Sequence, residues 1–87
     1  MYIIMVYDIN VKRVNKILKI GRRYLTWVQN SVLEGELTLS QFRRLKMEVA
    51  STMDADEDSV RFYTLRREED LRTETLGVEK NEPVWML

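Results

Sequence analysis

Tyr2-Ile3-Ile4-Met5-Val6-Tyr7 is an unbroken apolar run, rich in β-branched and aromatic side chains. Such a run suits a strand covered on both faces, and hence a central strand of a sheet. It stops at Asp8, and Asn10 is placed to cap the next element, because its side-chain oxygen accepts early helical N–H groups. Val11, Val14, Leu18, Gly21 and Leu25 then fall on one helical stripe, widened by Ile17 and Tyr24, which predicts a helix. Trp27 to Leu37 reads as extended chain interrupted at Asn30-Ser31, either two short strands or one bent strand. Asn and Ser favour a turn there, and Gly35 marks a bulge or a close approach. Thr38 and Gln41 stand at capping-box spacing ahead of a second stripe, Leu39, Phe42, Leu45, Val49 and Met53. Asp54-Ala55-Asp56-Glu57-Asp58 predicts a surface turn, and Ser59 to Leu65 a second clear strand.

From Arg66 to Lys80 the chain is charged and aperiodic, which predicts a loop or mobile segment. After Pro83 it turns apolar again, Val84-Trp85-Met86-Leu87. A lone apolar tail is exposed unless it docks, and a sheet edge on the same subunit or on a partner is the natural place. The expected units are a domain over 1–67, a charged linker over 68–83 and a terminal strand over 84–87. Strand, helix, doubled or bent strand, helix, strand describes an α+β sandwich of the ferredoxin-like βαββαβ kind, with an extra C-terminal strand. Its helices cover one sheet face. A chain of 87 residues has too little left to close the other, so a second copy is expected to bury it.

Hydrophobic residues make up 45% of the chain and charged residues 32%, as in a globular protein. Neither Cys nor His occurs, which excludes disulfide scaffolds, thiol nucleophiles, thiolate or imidazole metal sites and the Ser-His-Asp triad. Chemistry is left to carboxylates, Lys or Arg, hydroxyls, backbone groups, or a hard cation held by oxygen. The apolar run at 2–7 is far too short to span a bilayer and has no basic leader, so a soluble cytoplasmic protein with no membrane partner is expected. The formal charge is zero but divided: residues 1–53 carry nine Lys/Arg against four Asp/Glu, and residues 54–87 five against ten. Lys12, Arg13, Lys16, Lys19, Arg22 and Arg23 lie in one stretch that contains no acid. That block suits either a solvated helix face or contact with phosphates. Met5, Met47, Met53 and Met86 read as gap-filling core. Trp27 and Trp85 fit core or dimer packing better than base stacking.

Asp8 is the candidate for chemistry. A carboxylate ending a buried strand is held rigidly at a surface, although Asp8-Ile9-Asn10 also reads as a simple polar turn capping the helix. Magnesium takes oxygen ligands and keeps several waters, so one or two carboxylates suffice when phosphate supplies the rest. The ion would acidify a water and offset charge on a scissile phosphate. Tyr7, inside the apolar strand, reads as core before it reads as a substrate or interface residue.

The strand ending in Val6-Tyr7-Asp8, the basic helix, and Trp27-Val28-Gln29-Asn30-Ser31-Val32-Leu33-Glu34-Gly35-Glu36-Leu37 together resemble the CRISPR-associated protein 2 family. The resemblance covers residues 1–67 in order and spacing. Gln29-x-Ser31-Val32-x-x-Gly35 is its most specific piece, and Glu74-Thr75-Leu76-Gly77 is similar as well. It implies a ferredoxin-like homodimer with sheets packed face to face and the C-terminal strand, here 84–87, docked on the partner subunit. It further implies Asp8 as catalytic residue and as ligand of a magnesium ion, with manganese as the alternative, shared with its symmetry mate. Arg13 stands where family members often carry a basic residue near the substrate, and with Lys16, Arg22 and Arg23 it completes the candidate nucleic-acid contacts. Position 27 carries Arg in some members and is Trp here, and position 33, often Phe, is Leu.

Family members are described as metal-dependent endonucleases on RNA or DNA. They are also described as scaffolds that hold DNA for the CRISPR-associated protein 1 integrase during spacer acquisition. The resemblance therefore implies a nucleic-acid-binding scaffold for duplex DNA, with an endonuclease activity on RNA or DNA at paired Asp8 residues. A ferredoxin-like interaction module without nucleic acid is the alternative. Removing 84–87 is expected to weaken the dimer or its hold on the integrase, read by sedimentation; an unchanged dimer and complex would refute the tail's role.

Overall fold

The computed structural model describes residues 1–66 and 71–78. Its elements are β1 (Tyr2–Asp8), α1 (Val14–Arg22), β2 (Thr26–Gln29), β3 (Val32–Glu36), α2 (Leu39–Thr52), β4 (Ser59–Leu65) and β5 (Leu71–Gly77). The strands form one sheet in the order β2-β3-β1-β4-β5, each neighbour antiparallel, which is the ferredoxin-like arrangement with β5 added at one edge. The apolar run is the central strand that its composition predicts. It pairs with β3 from Tyr2↔Glu36 to Val6↔Val32 and with β4 from Tyr2↔Leu65 to Asp8↔Ser59.

Side chains alternate across a strand, and β1 shows the division plainly. Ile3, Met5 and Tyr7 join Val60 and Phe62 of β4 and Leu33 of β3 in a single core. Ile17 and Gly21 of α1 and Phe42, Leu45 and Val49 of α2 complete it, so both helices cover the same face. Phe42 meets Phe62 edge to face at 5.3 Å, and a Cβ on Gly21 would sit 3.2 Å from Leu33, so the glycine lets α1 close on the sheet. The opposite face carries Tyr2, Ile4, Val6 and Asp8, flanked in register by Val32, Glu34, Arg61, Tyr63 and Leu65.

The extended segment at 27–37 resolves into two strands. Asn30 turns the hairpin with φ of 43°, a left-handed conformation that Asn tolerates. The register shift falls between Trp27 and Gln29, while Gly35 marks a close approach, its Cβ position lying 3.3 Å from Leu25. Thr38 and Gln41 form the expected capping box of α2. Other expectations need correction. The first helix is shorter than its stripe: Val11 is 82% exposed, and Asn10 caps a turn, its side chain accepting the Lys12 N–H, ahead of an α1 that starts at Val14. Trp27 on edge strand β2 is 47% exposed and Met47 72%, so neither is core within one chain, whereas Met5 is.

The segment expected as linker over 68–83 contains β5. Its β-branched Thr73 and Thr75 pair with Tyr63 and Arg61 of β4, and Lys46 of α2 reaches Glu74 at 3.0 Å. Pairing with the open edge of β4 outweighs the segment's charge. The expected tail strand over 84–87, with Trp85 and Met86, lies outside the described residues. Among the described residues no helix is long and apolar enough to cross a membrane.

Gly77 closes β5 at φ of 85°, and a Cβ there would overlap the backbone oxygen of Asp58 and crowd Met53. Gly77→Ala is therefore expected to cost about 2 kcal/mol and to lower Tm by roughly 10 °C at fixed protein concentration. Thermal unfolding followed by circular dichroism checks this.

Candidate functional site

Asp8 is the last residue of β1 and is exposed. Parity along the strand puts it on the face that the helices leave uncovered, in register with Ser59 of β4. That placement agrees with the sequence reading of a carboxylate fixed at a strand end. Tyr7, the preceding residue, points the other way and is buried in the core. Its hydroxyl approaches the Asn30 carbonyl at 3.4 Å, and burial pushes its phenol up from the ordinary value.

The segment after Asp8 is fastened by a residue that sequence reasoning passed over. Asp58, directly before β4, is fully buried. Its Oδ1 accepts the Asn10 N–H at 2.8 Å and Arg13 Nη2 at 3.1 Å. Its Oδ2 accepts Arg13 Nε at 2.7 Å and the Asp54 N–H at 2.8 Å. A carboxylate in an apolar surrounding is costly unless paired and hydrogen-bonded, and here both oxygens are fully used. The Arg13 guanidinium is the main reason the Asp58 carboxyl is held well below the usual carboxylate range; burial opposes this, and the Asn10 and Asp54 N–H groups add to it. Arg13 also reaches Glu57 at 2.7 Å, and the two acids hold its guanidinium more firmly protonated. The only sequence signal was an acid immediately ahead of an apolar strand, with a block of cations far away in the chain.

The structure therefore separates the four expected nucleic-acid contacts. Arg13 has its side chain only 20% exposed and engaged by Asp58 and Glu57. Lys16, Arg22 and Arg23 are exposed on and just beyond α1. Lys16 and Arg23 line a shallow depression with Lys19, Ile20 and Thr52, while Arg22 is not part of it. Arg23 also pairs with Glu48, whose carboxylate receives the Tyr24 hydroxyl. Among the described residues no three Asp or Glu side chains converge on a metal-sized site within one chain.

The ordinary Asp value is 3.8, and Asp58 is held below it in the fold. Its contribution to stability is therefore complete above about pH 4 and is lost as the pH falls toward the folded value. Asp58→Asn is expected to be less stable than the parent near pH 7, with the gap narrowing below about pH 4. Urea midpoints across that range test the sign, and a gap independent of pH would contradict it.

Comparison with known proteins bears on the whole chain. The family described as CRISPR associated protein Cas2 matches residues 1–73. A CRISPR-associated endoribonuclease Cas2 of Thermotoga maritima is 61% identical over 82 residues, covering 94% of each chain. Proteins of the same name from Dictyoglomus turgidum and Thermococcus kodakarensis are 50% and 53% identical, covering 94% and 93% of each chain. Among solved structures, a Cas2 crystal structure at 40% identity superposes with a TM-score of 0.74 over 100% of this chain and 97% of its own. Streptococcus pyogenes Cas2 at pH 6.5, at 34% identity, gives 0.69 over 75% of this chain and 86% of its own. A family match over most of the length, relatives identical at half or more of their positions, and a shared fold lead to one conclusion: this chain belongs to the CRISPR-associated protein Cas2 family.

Proposed function

We propose that the protein works as a homodimer that binds nucleic acid and hydrolyses RNA phosphodiester bonds with a divalent cation at paired Asp8 residues. The observation that carries this reading is the position of Asp8, an exposed carboxylate ending the central strand on the sheet face without helices. Tyr2, Ile4, Tyr63 and Leu65 on that face are only half-buried in one chain, an apolar patch bordered by Glu34 and Arg61 and suited to a second copy. A twofold axis there brings two Asp8 carboxylates toward each other, and they repel unless a cation or proton lies between them. The endoribonuclease name carried by relatives such as the Thermotoga maritima protein supports RNA as substrate.

The donor set suits magnesium or manganese. The chain has neither Cys nor His, and one carboxylate per subunit leaves room for waters and for phosphate oxygens. Bound at Asp8, magnesium supplies charge neutralisation at the scissile phosphate and a more acidic water. The chain's own part is to hold the Asp8 carboxylate rigidly and to attract the phosphate backbone with Lys16, Lys19 and Arg23.

The basic depression on α1 favours a second role that does not need Asp8, holding duplex DNA for a CRISPR-associated protein 1 integrase during spacer acquisition. A magnesium and manganese titration of cleavage, on single-stranded RNA and duplex DNA, separates the two. Metal-dependent RNA cleavage is expected in the parent and is expected to fall at least about 100-fold in Asp8→Asn. Equal activity in both preparations overturns the Asp8 reading. No cleavage in either, with DNA binding that weakens steeply with salt, leaves the scaffold.

A further inference from the structure

We propose that Asp58 is the positioning residue of the Asp8 site, an inference that rests on the metal-binding role proposed for Asp8. Asp8 is followed by a two-residue step to Asn10, and the Asn10 N–H is held on Asp58 Oδ1 at 2.8 Å. Three residues further, the Arg13 guanidinium grips the same carboxylate through Nε at 2.7 Å and Nη2 at 3.1 Å. On the other side of Asp8, β1 pairs with β4, and Asp8 stands opposite Ser59, the neighbour of Asp58. The strand end is thus fixed from its sheet side by pairing and from its loop side by one buried carboxylate.

Asp58 is not itself a cation ligand in this arrangement. Each of its oxygens accepts two hydrogen bonds, from Asn10 and Arg13 on Oδ1 and from Arg13 and Asp54 on Oδ2, which uses the acceptor capacity of the group. Its work is directional. The planar guanidinium fork admits one approach, and the Asn10 and Asp54 N–H vectors fix two loops against it. Groups hydrogen-bonded directly to a metal ligand affect metal affinity by about 10–100-fold when removed; Asp58 acts one step further back, through the Asn10 N–H and Arg13, so the lower end of that range is expected.

The test compares the parent, Asp58→Asn, Arg13→Lys and Leu45→Ala. The last is a core substitution on α2, outside the Asp8 cluster, whose loss of Tm serves as the stability control. Two quantities are read on the intact dimer: the magnesium concentration for half-maximal RNA cleavage, and the manganese concentration that broadens the Asp8 to Asn10 amide signals in nitrogen-15 spectra. Asp58→Asn is expected to raise both by about tenfold, with cleavage recovering at saturating metal, while Leu45→Ala stays within about twofold of the parent. Arg13→Lys keeps the charge and loses the fork, and about a threefold rise is expected; it carries the test if Asp58→Asn does not fold. Parent broadening at Asp8 with no shift in either variant, or the same shift in Leu45→Ala, overturns the proposal and leaves Asp58 as a fold-stabilising group. Neither broadening nor metal-dependent cleavage in the parent overturns the Asp8 reading first, and the proposal with it.

Discussion

Among the described residues two helices, of 9 and 14 residues, cover a five-stranded sheet, and both lie on the same face. Most of the molecule's distinguishing features derive from that one-sidedness. The odd positions of β1 go under the helices as Ile3, Met5 and Tyr7, and the even positions are left on the other side as Tyr2, Ile4, Val6 and Asp8. The rule that packs the core therefore also delivers a carboxylate to the uncovered face. A slip of one residue in β1 would turn Ile4 and Val6 under the helices and carry Asp8 to the wrong side. The core and the position of Asp8 are set by a single register.

The cost of burying Asp58 is offset locally by four hydrogen bonds, two of them from a guanidinium. Stability alone is a weak reason for such a group, since an apolar pair of similar volume often holds a fold as well. The ionic arrangement adds direction. It joins the loop after β1, the start of α1 and the turn before β4, bringing together segments about 45 residues apart in the chain. Arg13 is drawn out of the basic block by this demand. The remaining cations of α1 stay exposed, with Lys16, Lys19 and Arg23 gathered around one depression.

Short-range chemistry is the part of this structure that was legible in the sequence. The apolar run named the central strand, the stripe from Leu39 to Val49 named α2, and Thr38 with Gln41 marked its start. The position of Asp8 at a strand end was readable from the apolar run before it, while its candidate role came from the family resemblance. β5 was not readable, because the charged stretch from Arg66 to Asp70 masks the alternation of Thr73 and Thr75, and its pairing depends on the open edge of β4. Asp58 was hidden in an acidic run that looks uniformly solvated; only its partner, 45 residues earlier, makes it different from Asp54 and Asp56. Arg13 was singled out only by the family resemblance, as a candidate nucleic-acid contact, and nothing in the basic block marked it as the partner of Asp58. Long-range pairing, unlike helix periodicity, leaves no local trace.

Asp58 acts through its main chain as well. Its carbonyl accepts the Val78 N–H at 2.9 Å, and Gly77 at positive φ lets the chain pass close over it. Gly77 is in register with Ser59, and Ser59 with Asp8, so one row across three strands runs from the Asp8 position to the end of β5. Two strand spacings make that row about 10 Å wide. The carboxylate of Asp58 holds the chain at one end of the row and its carbonyl holds the chain at the other. The place from which the C-terminal residues depart is thus tied to the residue that fixes the loop after Asp8.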